Sequence, residues 1–244
     1  HLRCEMCSVN AFEMAEDFAK RFDVRLMSLM DHTPGQRQFR DEEKLKIYYR
    51  GKVHKSEEEL EAFFEQRRDM HRTYAPQHRR NLVTLAHARG IALASHDDTT
   101  LEHVDEAIGD RMQVAEFPTT LEAASASHKA GLAVLMGAPN VVRGGSHSGN
   151  VSARYLAEEG VLDILSSDYV PISLIEGAFA LADVAAIGYL PGAIRTVTRN
   201  PAEATGMHDR GEIVAGKRAD LVRVALVDGH PVVREVYREG ARVA

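Results

Sequence analysis

The chain has 244 residues, 44% of them hydrophobic and 27% charged, and a formal net charge of −6. That is enough apolar material for a sizeable core in one large domain or a domain with a small appendage. The acidic balance argues against a nucleic-acid partner, and with no run of 18 apolar residues no membrane partner is expected.

The chain opens on "HLRCEM", which reads as a strand. A sequence that starts on a strand already carrying His, Arg and Glu is expected to be a segment with further sequence upstream. Cys4 and Cys7 form a lone CxxC. A redox pair or half of a zinc knuckle is the chemical reading. The plainer expectation is two reduced thiols at a strand end in a cytoplasmic chain.

Further apolar runs follow: "VRLMSLM" (24–30), "IALAS" (91–95), "RMQVAE" (111–116), "GLAVLMG" (131–137) and "VLDILSS" (161–167). Short, continuous and aliphatic, they are expected to be parallel strands covered on both faces. Between them "TLEHVDEAIGD", "TLEAASASHKA" and "NVSARYLAEEG" space their apolar residues as helices do, with Thr pairs at 99–100 and 119–120 as N-caps. This β/α alternation predicts a parallel sheet, and the number of strands favours a barrel over a short open sheet. Residues 41–89 interrupt it with a charged, helical stretch whose charges read as a solvated face. The segment 200–211 reads as a turn-like link. From 211 to 244 the chain is rich in Val and turn residues, predicting antiparallel strands with "DGHP" as a hairpin turn.

In such a barrel chemistry sits after the C-terminal strand ends. Those ends carry Glu5, Asp31 with His32, His96 with Asp97 and Asp98, Glu116, and Asp168. One Asp there is ordinarily a cap for the next helix, and Asp97 and Asp98 read equally well as that. His and carboxylate at successive strand ends suit one or two divalent cations such as Zn or Mn. A cation at an open rim lowers the pKa of bound water, and Asp168 is placed to take the proton.

The stretch "GAPNVVRGGSHSGN" (137–150) has no helical or strand periodicity. Its glycines let backbone approach a ligand, Arg143, Gly144, Gly145, Ser146 and His147 offer anion donors, and the next helix N-terminus favours negative charge. "TPGQRQF" adds Gln36 and Arg37. A phosphate or phosphonate substrate is expected. His54, His71, His78, His87, His103 and His128 read as surface residues, and His208 as part of a turn.

The C-terminal "NPAEATGMHDRGEIVAGKRADLVRV" resembles the end of the amidohydrolase superfamily, where the chain passes from a metal barrel into a small β-sandwich. Within it, "HLRCE", "SLMDHTPGQRQF", "IALASHDDTT", "AEFPTT", "GAPNVVRGGSHSGN" and "DILSSDY" resemble the diphosphatases of the carbon–phosphorus lyase pathway. The resemblance implies a (β/α)₈ barrel over 1–205, with its first two strands upstream of His1, and part of a sandwich over 206–244. A barrel missing those strands would expose an edge prone to aggregation.

It also implies metal-dependent hydrolysis of α-D-ribose 1-methylphosphonate 5-triphosphate to pyrophosphate and the 5-phosphate. His96 fits a metal histidine, Asp168 the aspartate that binds metal and takes the water's proton, and Glu5 a bridging carboxylate. Glu116 stands where many members have His, and His32 fits an extra ligand or phosphate contact. The His-x-His or His-x-Asp pair of the first strand is not in this sequence. The scaffold also hosts deaminases and cyclic-amide hydrolases, and a phosphate-ligand binder without activity is a further reading. Assembly into a homo-oligomer is left open.

Overall fold

The computed structural model describes residues 1–39, 45–47, 56–145 and 149–244. The chain forms two compact units, His1–Ala123 and Ala124–Ala244.

The first unit runs β1 (Leu2–Glu5), α1 (Ala11–Arg21), β2 (Leu26–Met30), α2 (Glu57–Arg89), β3 (Ala92–His96), α3 (Leu101–Gly109) and β4 (Val114–Glu116). The four strands pair in parallel, in sequence order. The aliphatic runs become strands because both faces are covered: every residue of β2 and of β4 is buried. The register sets Glu5 beside Met30 and His96 beside Glu116, so the C-terminal ends lie along one edge.

The charged stretch yields α2, opened by a capping box. Ser56 Oγ accepts from the Glu59 N–H, and the Glu59 carboxylate accepts from the Ser56 N–H. Left-handed Gly90 ends the helix. Leu60, Phe64, Ala75, Leu82 and Ala86 are buried along it. Two histidines of this helix expected on the surface are not there. His78 is buried, bonded through Nδ1 to the Met6 carbonyl at 2.9 Å, and half-buried His71 pairs with Asp31. The helix is packed rather than solvated all round, and its inward positions include both rings. His54 lies outside the described residues.

Helix α4 (Leu121–Lys129) leads in sequence to the second unit. There follow β5 (Ala133–Gly137), α5 (Ala138–Arg143), α6 (Ala153–Glu158), β6 (Ile164–Ser166), α7 (Ser173–Ala180), α8 (Tyr189–Arg195) and α9 (Arg199–Ala204). β5 and β6 pair in parallel. Part of the segment read as a turn-like link is helical, as α9. The stretch 137–150 also begins with a helix, α5, capped by left-handed Gly144.

An antiparallel sheet of β7 (Leu221–Val227), β8 (His230–Arg238) and β9 (Ala241–Arg242) ends the chain. Its first hairpin turns on Asp228 and Gly229, both at positive φ (51° and 82°). A two-residue turn of that kind matches the strand twist, which is why Asp-Gly serves there. No helix among the described residues is long and apolar enough to cross a membrane.

Candidate metal centre

In the first unit the parallel register gathers Glu5, His32, His96, Asp97 and Glu116 at the strand ends. Each imidazole is held at one nitrogen by a carboxylate. Nδ1 of His32 lies 2.5 Å from Glu5 Oε2, and the His32 N–H donates to Glu5 Oε1 at 3.1 Å. Nδ1 of His96 lies 2.7 Å from Glu116 Oε2. That oxygen also accepts from Ser28 Oγ at 2.6 Å. Arg3 donates to His96 Nε2 at 3.2 Å, so the network assigns the His96 proton to Nδ1.

The remaining nitrogens face Asp97. Its Oδ2 lies 3.4 Å from His96 Nε2 and 3.7 Å from His32 Nε2. Asp97 is only 4% exposed, and Oδ2 makes no hydrogen bond. A buried carboxylate oxygen without a donor costs several kcal/mol of desolvation, of order 1–3 or more. Burial pushes the Asp97 carboxyl up, against the pull of the two imidazoles. Burial also works against the ionised Glu5, but the bonds and charge of His32 outweigh it and hold that carboxyl below its usual range. Glu116 behaves likewise, with burial overcome by His96, Ser28 and Arg3. His32 is opposed by burial yet raised by Glu5 and Asp97.

This arrangement fits a divalent cation. The three donors His32 Nε2, His96 Nε2 and Asp97 Oδ2 lie within 4.8 Å of one another. Two nitrogens and a hard oxygen are a suitable set for Zn or Mn. A carboxylate on the far nitrogen of each ring is the usual outer support of a metal-binding histidine. A cation would also satisfy the orphaned Asp97 oxygen and replace the Arg3 hydrogen bond. Glu5 and Glu116 contribute to this cluster through the rings, and Asp97, which reads in the sequence as a helix cap, is its third donor.

The backbone carries strain here. Asp97 and Phe117, each directly after a strand end, have φ of 57°. Non-glycine residues in that region cost about 1–2 kcal/mol. Asp97 is held by its N–H bond to the Glu116 carbonyl, and the Phe117 ring stands edge-on to His96 at 5.4 Å.

Arg37 is buried and engaged. It donates to the His96 carbonyl at 3.1 Å, to Asp98, and to Glu106 at 2.8 Å. It supports the segment that presents His96 and Asp97. With Gln36 it also lines a pocket of 570 Å³.

In the second unit Asp168 follows β6 with φ of 48°. Gly137, at the end of β5, leaves it room: a Cβ there would stand 3.3 Å from Asp168 Oδ2. Arg143, exposed at the end of α5, donates to the hydroxyl of Tyr169, the residue after Asp168. Gly144 and Gly145 follow at positive φ. Ser146 and His147 lie outside the described residues. The N-terminus of α6 is already supplied with acceptors, since Asn140 takes the Ala153 N–H and Ser152 the Tyr155 N–H. Its short helix therefore offers less to an anion than its sequence suggests.

The chain is 49% identical over its 244 residues to alpha-D-ribose 1-methylphosphonate 5-triphosphate diphosphatase of Escherichia coli (strain K12), and spans 65% of that protein's length. A crystal structure of an uncharacterized protein superposes with a TM-score of 0.60 at 17% identity, covering 97% of this chain and 59% of the other, a likeness of fold. The amidohydrolase family model matches residues 8–244, and the chain belongs to the amidohydrolase family.

Proposed function

We propose that the chain carries the chemistry of a metal-dependent phosphoanhydride hydrolase of cytoplasmic phosphonate catabolism. Its substrate is α-D-ribose 1-methylphosphonate 5-triphosphate, cleaved between the α- and β-phosphates to give pyrophosphate and the 5-phosphate. The observation that carries this is the 49% identity to the diphosphatase across all 244 residues. The donor set of His32, His96 and Asp97 supports it.

His32, His96 and Asp97 would hold a divalent cation, with Glu5 and Glu116 fixing the rings. When bound, the cation supplies Lewis acidity, polarising a phosphoryl oxygen and lowering the pKa of water. Asp168 has the role the family resemblance gives it, accepting a proton from the attacking water. Its carboxylate has space because position 137 is glycine. Arg143 offers a planar fork to a phosphate or phosphonate oxygen, with the backbone N–H groups of Gly144 and Gly145 next in sequence; Ser146 and His147 are candidate donors by residue type alone. Gln36 adds an amide, and Arg37 positions the segment behind it.

Phosphorus NMR of the triphosphate incubated with the protein and Mn²⁺ or Zn²⁺ tests this. Pyrophosphate and the monophosphate in equal amounts are expected. Release of orthophosphate, or an intact triphosphate, overturns the assignment. In the latter case a ring-opening or ammonia-releasing reaction takes its place.

A further inference from the structure

The described residues hold a second trio of metal-ligand types, Cys7, Asp31 and His71. Each comes from a different segment: Cys7 from the turn after β1, Asp31 from directly after β2, and His71 from the middle of α2. The thiol of Cys7 donates to Asp31 Oδ1 at 3.1 Å and lies 3.9 Å from His71 Nδ1. Asp31 Oδ2 lies 2.8 Å from the same nitrogen. Cys7 is fully buried and Asp31 is 5% exposed.

We propose that Cys7, Asp31 and His71 form a second cation site, thiolate-bearing and of the zinc class, distinct in its donors from the His32–His96–Asp97 centre.

Three observations carry it. First, the three donors lie within 4.8 Å of one another, and an ion would take the place of the proton between Asp31 and His71. Tetrahedral bonds of roughly 2.0 Å to nitrogen and 2.3 Å to sulfur set those two ligands about 3.5 Å apart, close to the 3.9 Å found. Second, one sulfur, one imidazole nitrogen and one carboxylate oxygen select a borderline-soft ion over Mg²⁺ or Ca²⁺. Third, three protein ligands leave a fourth position, and the trio has an open side. Asp31 and His71 line the 570 Å³ pocket, together with Gln36, Arg37, Arg79 and Arg80. Water or an anionic ligand can reach the fourth position from there.

Without a cation the trio is closed by protons. The Cys7 thiol holds its own, with burial first and Asp31 next pushing it up to about 12. Loading sends that proton, and the one that His71 Nδ1 shares with Asp31, to solvent, and the sulfur and nitrogen lone pairs bond the cation in their place. The ring takes up the cation at Nδ1 and keeps a proton on Nε2. No electrons are transferred.

The test is titration of the chelator-treated protein with Co²⁺, followed by near-ultraviolet absorption, with folding checked by circular dichroism. A thiolate-to-cobalt charge-transfer band is expected in the parent and absent in Cys7→Ser. Cobalt bound without that band overturns the proposal. So does a band that survives in Cys7→Ser, which would assign it to Cys4. Should Cys7→Ser fail to fold, His71→Gln carries the test. The cobalt midpoint of the band should rise at least tenfold, and an unchanged midpoint counts against the site. The band reports sulfur ligation alone, so the result does not depend on occupancy at the His32–His96–Asp97 centre or on any activity.

Discussion

Glu5 Oε2 lies 2.5 Å from Nδ1 of His32, and this contact leaves Nε2 as the nitrogen that faces Asp97. A carboxylate in that position fixes the tautomer and the ring plane and makes the opposite nitrogen a better ligand. Glu5→Gln keeps the shape but removes the charge. Its affinity for Mn²⁺ or Zn²⁺ should fall roughly 10–100-fold, measured by chelator competition. An affinity equal to the parent's would show that Glu5 does not support the ring.

Gly137 and Asp168 make a second testable pair. Position 137 has ordinary extended backbone, so alanine meets no conformational penalty there. The added methyl would stand 3.3 Å from Asp168 Oδ2, close enough to push it. Small displacements of a reacting group can cost up to about 100-fold in rate. Gly137→Ala should lower kcat at least tenfold while the melting temperature changes by only a few degrees. Loss of stability without loss of kcat would mean the glycine serves packing alone.

Arg37 and Asp98 are a buried ion pair, 6% and 1% exposed. Removing one partner of such a pair strands the other charge and costs about 3–5 kcal/mol. Arg37→Met should therefore destabilise the protein by that order in urea unfolding. The double variant with Asp98→Asn should recover part of the loss. Full stability in the single variant would contradict the structural role given to Arg37.

The Asp31–His71 pair sets a pH window for the metal-free protein. His71 is raised above its ordinary 6.5, by the Asp31 bond first and against partial burial. Its stabilisation is complete below 6.5 and is lost as pH rises through the folded value. Asp31 is opposed by burial, yet His71 and Thr33 hold its carboxyl well below its ordinary 3.8. Its stabilisation is present above 3.8 and is lost as pH falls toward the folded value. The melting-temperature gap between parent and Asp31→Asn should be widest between those limits and narrow on the alkaline side. A gap that widens above pH 8 would contradict a charged His71.

Much of the fold is legible in the sequence because its signals are local. The aliphatic runs before Glu5, His32, His96, Glu116 and Asp168 are strands, as continuous apolar stretches in parallel sheets should be. Asp228–Gly229 turns a hairpin because few other dipeptides accept positive φ twice. The strand-end His and carboxylate residues are likewise visible as a set. Their division of labour is not. Asp97 has the spacing of a helix cap, and only its unbonded oxygen between two rings distinguishes it. Arg37 looks like a phosphate ligand until Asp98, 61 residues away, is found against it. His71 and His78 sit on a helix whose charge hides its inward face. These are long-range pairings, and no local pattern encodes them.

Under the proposed function, His32, His96 and Asp97 hold the cation on which hydrolysis depends. The most direct test is pyrophosphate release from the ribose methylphosphonate triphosphate, measured against Mn²⁺ or Zn²⁺ concentration for the parent and Asp97→Asn. Release that chelator abolishes and metal restores is expected, with at least a 100-fold loss in Asp97→Asn at the same metal concentration. Release that persists in chelator, or parent-like turnover in Asp97→Asn, would contradict it.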